Sequence, residues 1–196
     1  MNEKNLSDYF KRYQYDPSIS ANSRTWFTQQ LNLLKKENIN RRNVFQQSGL
    51  VTSRIQVGNM YMYFYDPKYK EELPFYDRFP LVFPFEKTKD GFYGLNMHYL
   101  TPYLRFKLFE QLLRFKSAKT LTEKSRLRYS YSVLKGLSRF PMAKHCVKQY
   151  LTDHVASAIK LVPATDWASA LMLPVESFAK KSSAAVWKET ARGIKI

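Results

Sequence analysis

Apolar positions change period along the chain. Between Leu50 and Tyr99 they alternate with their neighbours, and after Tyr99 they recur every three to four residues. The first pattern reads as half-buried strands and the second as amphipathic helices. Four alternating segments stand out: LVTSRIQV (50–57), NMYMYFY (59–65), RFPLVFPFE (78–86) and GFYGLNMHY (91–99). In the second, Met60, Met62 and Phe64 share one face while Tyr61, Tyr63 and Tyr65 share the other, which predicts a sheet covered on both sides. In the third, Phe79, Leu81, Phe83 and Phe85 lie on one face and Pro80 and Pro84 on the other. Proline donates no ladder hydrogen bond, so this strand is expected at an edge or with a bulge. Lys89-Asp90-Gly91 carries the Asp-Gly hairpin signal between the last two segments.

Helical patterning flanks this region. Tyr9, Phe10, Tyr13 and Tyr15 form an aromatic arm that ends at the turn Asp16-Pro17-Ser18. Asn22 or Ser23 caps a predicted helix over 24–36, with Phe27, Leu31 and Leu34 on one face, and the polar stretch 37–49, bearing Arg41 and Arg42, reads as a loop. Beyond the strands, Thr101 with Pro102 opens a helix striped by Leu104, Leu108, Leu112 and Phe115. Thr120 and Glu123 have capping-box spacing for a second helix through Leu127, Tyr131 and Leu134, ending near Gly136. A third helix is expected from Pro141 to Pro163 along Val147, Tyr150, Leu151, Val155, Ala158 and Ile159, and a last one over 175–191 after the buried-looking run from Trp167 to Leu173. The sum predicts an α+β fold, with a small antiparallel β-sheet or partial barrel in the middle and basic helices packed around it. Three regions follow: an aromatic arm and helix (1–49), an antiparallel β module (50–100) and a basic helical region (101–196), the last two forming one compact unit.

Composition narrows the class. A chain of 196 residues that is 44% hydrophobic and 16% aromatic buries enough apolar surface to exclude simple disorder. No apolar run approaches the roughly 18 residues of a membrane span, so no membrane partner is expected. The single cysteine, Cys146, excludes an internal disulfide and four-cysteine zinc patterns, in keeping with synthesis in a reducing cytoplasm.

Charge changes the picture most. Lys and Arg number 32 against 16 Asp and Glu, a net of +16 that points to a polyanionic partner. The excess is local. Residues 1–55 carry +5, residues 56–100 carry −1 and residues 101–196 carry +12, and between Arg105 and Lys148 twelve basic residues face only Glu110 and Glu123. Candidate phosphate-facing residues are therefore Arg105, Lys107, Arg114, Lys116, Lys119, Lys124, Arg126, Arg128, Lys135 and Arg139. No zinc-finger, RNP or helix-turn-helix signature accompanies them, so nucleic acid contacted through its phosphates, with weak sequence preference, is the expected partner. Aromatic density gives a second candidate set, a protein interface at Tyr61, Tyr63, Tyr65, Phe75 and Tyr76.

Catalytic chemistry finds no constellation. His98, His145, His154 and Asp153 are the only candidate ligands, and the nine-residue gap between His145 and His154 does not converge on an ion, so no metal is expected. Cys146 beside His145 points about 100° away from it on a helix and reads as a buried structural thiol. Glu71, Glu72, Asp66 and Asp77 read as surface-turn carboxylates. No phosphate loop or nucleophile elbow is present, so neither an enzyme, a cofactor nor a small-molecule substrate is expected.

The phrases MYMYFYDPKYKEELPFYDRFPLVFPFE and GFYGLNMHYLTPYLR, followed by HCVKQYLTDHV, DWASALMLPVESFAKKS and VWKETAR, resemble a virion protein family of contractile-tailed bacteriophages, the DNA end protectors, over roughly residues 20–192. That resemblance implies a virion protein that binds the ends of packaged linear double-stranded DNA, through its phosphate backbone, and shields them from host exonuclease. The alternative in the same context is a structural subunit of the tail, baseplate or neck that holds other virion proteins together.

Overall fold

A computed structural model describes residues 41–47, 50–118 and 120–192, with helical residues 29, 32–34 and 36 before them. The aromatic arm, the cap at Asn22 or Ser23, Phe27, Leu31 and Lys119 lie outside the described residues. Leu34, from the predicted first helix, is buried in the core.

Six antiparallel strands form an open sheet in the order β1-β7-β2-β4-β5-β6: β1 Leu50–Thr52, β2 Met60–Met62, β4 Leu81–Lys87, β5 Gly91–Asn96, β6 Val147–Leu151 and β7 Ile159–Val162. A second ladder pairs β3 Tyr76–Asp77 with β8 Phe178–Ala179. The helices are α1 Arg41–Gln47, α2 Pro102–Ser117, α3 Glu123–Leu137, α4 Trp167–Ala170 and α5 Ser183–Arg192. The architecture is α+β, and the sheet is open rather than a barrel.

Alternation in the sequence becomes two cores. Met60, Met62, Phe79, Leu81 and Phe83 join Phe106, Phe109 and Leu112 of α2, Leu134 of α3, Trp167 to Leu173, and Val186 of α5 in the larger cluster. Tyr61, Tyr63, Tyr65, Val82, Phe92, Tyr150 and Ile159 form a smaller cluster on the opposite face, to which, among the described residues, strands and loops contribute. Among the described residues, the helices α1 to α5 thus pack on one face. Two phenols of the other face find backbone partners, with Gln56 N–H donating to the Tyr61 hydroxyl at 2.9 Å and Leu151 N–H to the Tyr65 hydroxyl at 3.0 Å, and the Asn96 amide donates to the Tyr150 hydroxyl at 3.0 Å.

The proline-bearing strand β4 is internal, between β2 and β5; Pro80 precedes it, and it accommodates Pro84 with a bulge. Pro84 pairs with Gly94 and Glu86 with Tyr93, so Phe85 is the extra residue and the missing N–H falls where the ladder is already broken. The hairpin at Lys89-Asp90-Gly91 joins β4 to β5, with Lys87 opposite Phe92.

Four sequence expectations are corrected. The helix from Pro141 to Pro163 is instead a 3-10 segment (Pro141–Cys146) followed by β6 and β7. Val147, Tyr150 and Leu151 satisfy helical spacing, but Val147 joins the larger cluster and Tyr150 the smaller one, the opposite-face placement of a strand. Pairing with β5 and the stacking of Tyr150 on Phe92 at 5.4 Å outweigh local spacing. Residues 41–47 are helical rather than a loop, and the Arg41 guanidinium donates to the Val175 and Glu176 carbonyls. The cap of α3 is Thr122, whose hydroxyl accepts from Ser125 N–H, rather than Thr120. The last helix starts at Ser183, after β8 and the positive-φ residue Lys180, instead of at Val175.

Candidate nucleic-acid interface

The basic helices begin at well-made caps. Thr101 Oγ1 accepts from Leu104 N–H at 3.3 Å with Pro102 at the first helical position, and Thr122 Oγ1 accepts from Ser125 N–H at 3.2 Å. These hydrogen bonds set where each helix starts and therefore which way its cations point. At 100° per residue, Lys124, Arg128 and Lys135 fall within about 40° of one another on α3. All three are exposed, and exposed Arg139 follows just past the helix end. The stripe from Lys124 to Lys135 runs about 16 Å along the axis. On α2, Lys107 and Arg114 are seven residues apart, share a face and are exposed. Lys107 Nζ lies 3.3 Å from Glu110 Oε2 and beside the Tyr103 and Phe106 rings. Lys135 Nζ sits 5.7 Å from the Tyr131 ring centroid, which holds its aliphatic stem against the helix.

Other candidates are placed differently. Arg105 is 2% exposed, 3.5 Å from Glu176 Oε2 and 5.0 Å from the Trp187 ring, so it braces the core and cannot reach a phosphate. The backbones of Lys116 and Arg126 belong to α2 and α3. Tyr61, Tyr63 and Tyr65 are buried within this chain's own smaller core, and so present no exposed assembly face. Phe75 is half-buried against Tyr99 and Phe178. Tyr76, also half-buried, borders with Tyr65, Tyr99 and Lys148 a cleft of about 470 Å³.

Asp77 is not a surface carboxylate; it is the centre of a buried polar hub. Its Oδ1 accepts from the backbone N–H groups of Phe79 and Ser177, both at 3.1 Å, and its Oδ2 accepts from Asn96 Nδ2 at 3.1 Å and meets His98 Nδ1 at 2.7 Å. Burial alone would raise this carboxyl, but the adjoining His98 and the hydrogen bonds hold it below its ordinary value. Trp187 Nε1 donates to the His98 carbonyl at 2.8 Å, which ties α5 to the hub. Cys146 is buried, as expected, and burial pushes its thiol up to about 12. Among the described residues no group of three or more His, Cys, Asp or Glu side chains is arranged to hold a metal, and no helix is long and apolar enough to cross a membrane.

Sequence reasoning missed a groove of about 550 Å³ between α2 and α3. Leu104 and Leu108 of α2 and Val133 and Leu137 of α3 line it, with Tyr129 and Phe140 at 49% and 56% exposure beside them. Gly136 faces it with no atom within 4 Å of a built Cβ. The signal was present, since Tyr129 and Phe140 break the polar side of a basic segment, but only the packing angle of the two helices opens a groove there.

The family model described as "Phage T4 terminal DNA protecting protein" matches residues 10–190. No curated protein and no solved structure matches the chain.

Proposed function

The chain belongs to the phage T4 terminal DNA protecting protein family, and from that premise we propose that it binds the ends of linear double-stranded DNA and shields them from exonuclease as a component of the phage particle. The observation that carries the reading is the exposed face of α3 on which Lys124, Arg128 and Lys135 recur in helical register, continued by Arg139 and flanked on α2 by Lys107 and Arg114. A row of cations spaced along a rigid helix releases counterions from a phosphate backbone, and such contacts position a protein without reading sequence. Protection follows from occupancy: a covered terminus is closed to an enzyme that must thread it, so no bond needs to be made or broken by this chain.

The test is the salt dependence of binding to linear duplex DNA. Each lost phosphate contact lowers the slope of log K against log salt by about 0.9. Charge reversal at Lys124, Arg128 and Lys135 together is expected to flatten the slope by nearly three such steps, with the protein still folded. An unchanged slope would remove the α3 stripe from the interface.

A further inference from the structure

We propose that the groove between α2 and α3 seats a base unstacked from the end of a DNA duplex, so that the phosphate-facing helices also sense the end itself. The inference rests on the DNA-end reading above and deepens it. Phosphates repeat along a duplex, so cations alone bind an interior stretch as well as a terminus. What only an end offers is a base with one uncovered π face and no neighbour to hold it in place. A site that discriminates ends therefore needs apolar, preferably aromatic, surface within reach of the phosphate-binding cations.

The groove meets that requirement. Its lining is mostly apolar, from Leu104, Leu108, Val133 and Leu137, with Gln111 and Ser132 as polar members, and Tyr129 and Phe140 present exposed rings to it. Its volume, about 550 Å³, lies within the range of small-molecule pockets. Lys107 forms part of its wall. Around α3, the stripe of Lys124, Arg128 and Lys135 stands about a third of a turn from the groove-facing residues, on the side of Ser132. A terminal nucleotide whose base enters the groove thus keeps its phosphate beside Lys107 and leaves the following phosphates for the stripe. Gly136 leaves room where any other residue would place a side chain in the groove. The charge of Lys107 fits an anionic ligand, and the rings beside the groove fit a base, which stacks on aromatic side chains whatever its sequence.

Unstacking a terminal base opposes its entry into the groove, and a mismatched last pair has largely met that cost already. The experiment compares three fluorescent duplexes of one length: fully paired and open-ended, open-ended with a mismatched last pair, and closed at both ends by hairpins. Each carries 2-aminopurine at the terminal or an interior position. The wild-type protein should bind the mismatched end most tightly and the closed duplex least, and should change the emission of the terminal probe only. Tyr129→Ala with Phe140→Ala, both at exposed positions, should lower affinity for open ends about tenfold, the equivalent of one lost stack. Affinity for the closed duplex should stay within about twofold. Gly136→Trp, which fills the groove, should do the same. Full retention of end preference by both variants would overturn the groove assignment while leaving the DNA-end reading intact. Loss of self-association by the variants with unchanged end binding would overturn it too, and give the groove to a second copy of the chain. Equal binding of open and closed duplexes by the wild-type protein would remove the DNA-end reading and this inference with it.

Discussion

Arg105 and Arg128 have the same chemistry and opposite uses. Arg105 sits among Glu176 and Trp187 inside the fold, whereas Arg128 stands on the exposed face of α3. Removing one partner of a buried ion pair costs about 3–5 kcal/mol, because the remaining charge is left without compensation. Arg105→Ala should therefore lower the urea midpoint of unfolding strongly, with DNA affinity per folded molecule unchanged. Normal stability with weakened binding would reverse these roles. Asp77 is the second residue whose setting decides its behaviour. Its folded carboxyl holds its charge to lower pH than the unfolded one, which titrates near its ordinary value of about 3.9. On acidification the unfolded chain takes up that proton first, so the stability Asp77 contributes is complete above about pH 5 and falls away below it. Urea unfolding between pH 7 and pH 3 should show a steeper acid loss for the wild-type protein than for Asp77→Asn. Parallel pH profiles would contradict the charge assigned to the hub.

At the scale of elements, close backbone approach sets the sheet and open space marks α3. A Cβ on Gly91 would lie 1.8 Å from the Tyr150 carbonyl oxygen, a collision between backbones that no rotamer relieves. Gly91→Ala should destabilise by about 3 kcal/mol or more, since β5 and β6 must separate to admit it. Gly136→Ala meets nothing within 4 Å and should stabilise by about 0.5–1 kcal/mol through helix propensity alone. Thermal melts of the two variants shifting in the same direction would contradict this pair of readings. The elements also show what the sequence makes legible. The two-faced alternation of Met60 to Tyr65, the Asp90-Gly91 hairpin and the Thr101-Pro102 helix start each rest on local rules, and each is found in the structure. The stretch 147–162 was misread because its apolar spacing suits either period, and only pairing with β5, β1 and β2, residues distant in sequence, decides it. Arg41 was misread for the same reason, as its partners are the carbonyls of Val175 and Glu176. Cationic candidates were legible as a set but not as a surface, since nothing in the local sequence around Arg105 announces Glu176 and Trp187.

On the scale of the whole molecule, the fold separates its tasks by face. The sheet buries both its sides, and its second face closes over tyrosines, of which Tyr61 and Tyr65 accept hydrogen bonds from the chain's own backbone at Gln56 and Leu151. The helices pack on the other side, and α2 and α3 expose Lys107, Arg114, Lys124, Arg128 and Lys135. A net charge of +16 on a protein this small favours association with DNA at low salt whatever the geometry, so affinity alone does not test the account. Protection of an end does. The most direct measurement is the rate at which a processive exonuclease degrades a linear duplex saturated with the protein at moderate salt. Wild-type protein is expected to stop digestion at the termini, and the variant reversed at Lys124, Arg128 and Lys135 is expected to leave the duplex as exposed as naked DNA. Digestion of the saturated duplex at the naked rate by the wild-type mixture would contradict the central claim.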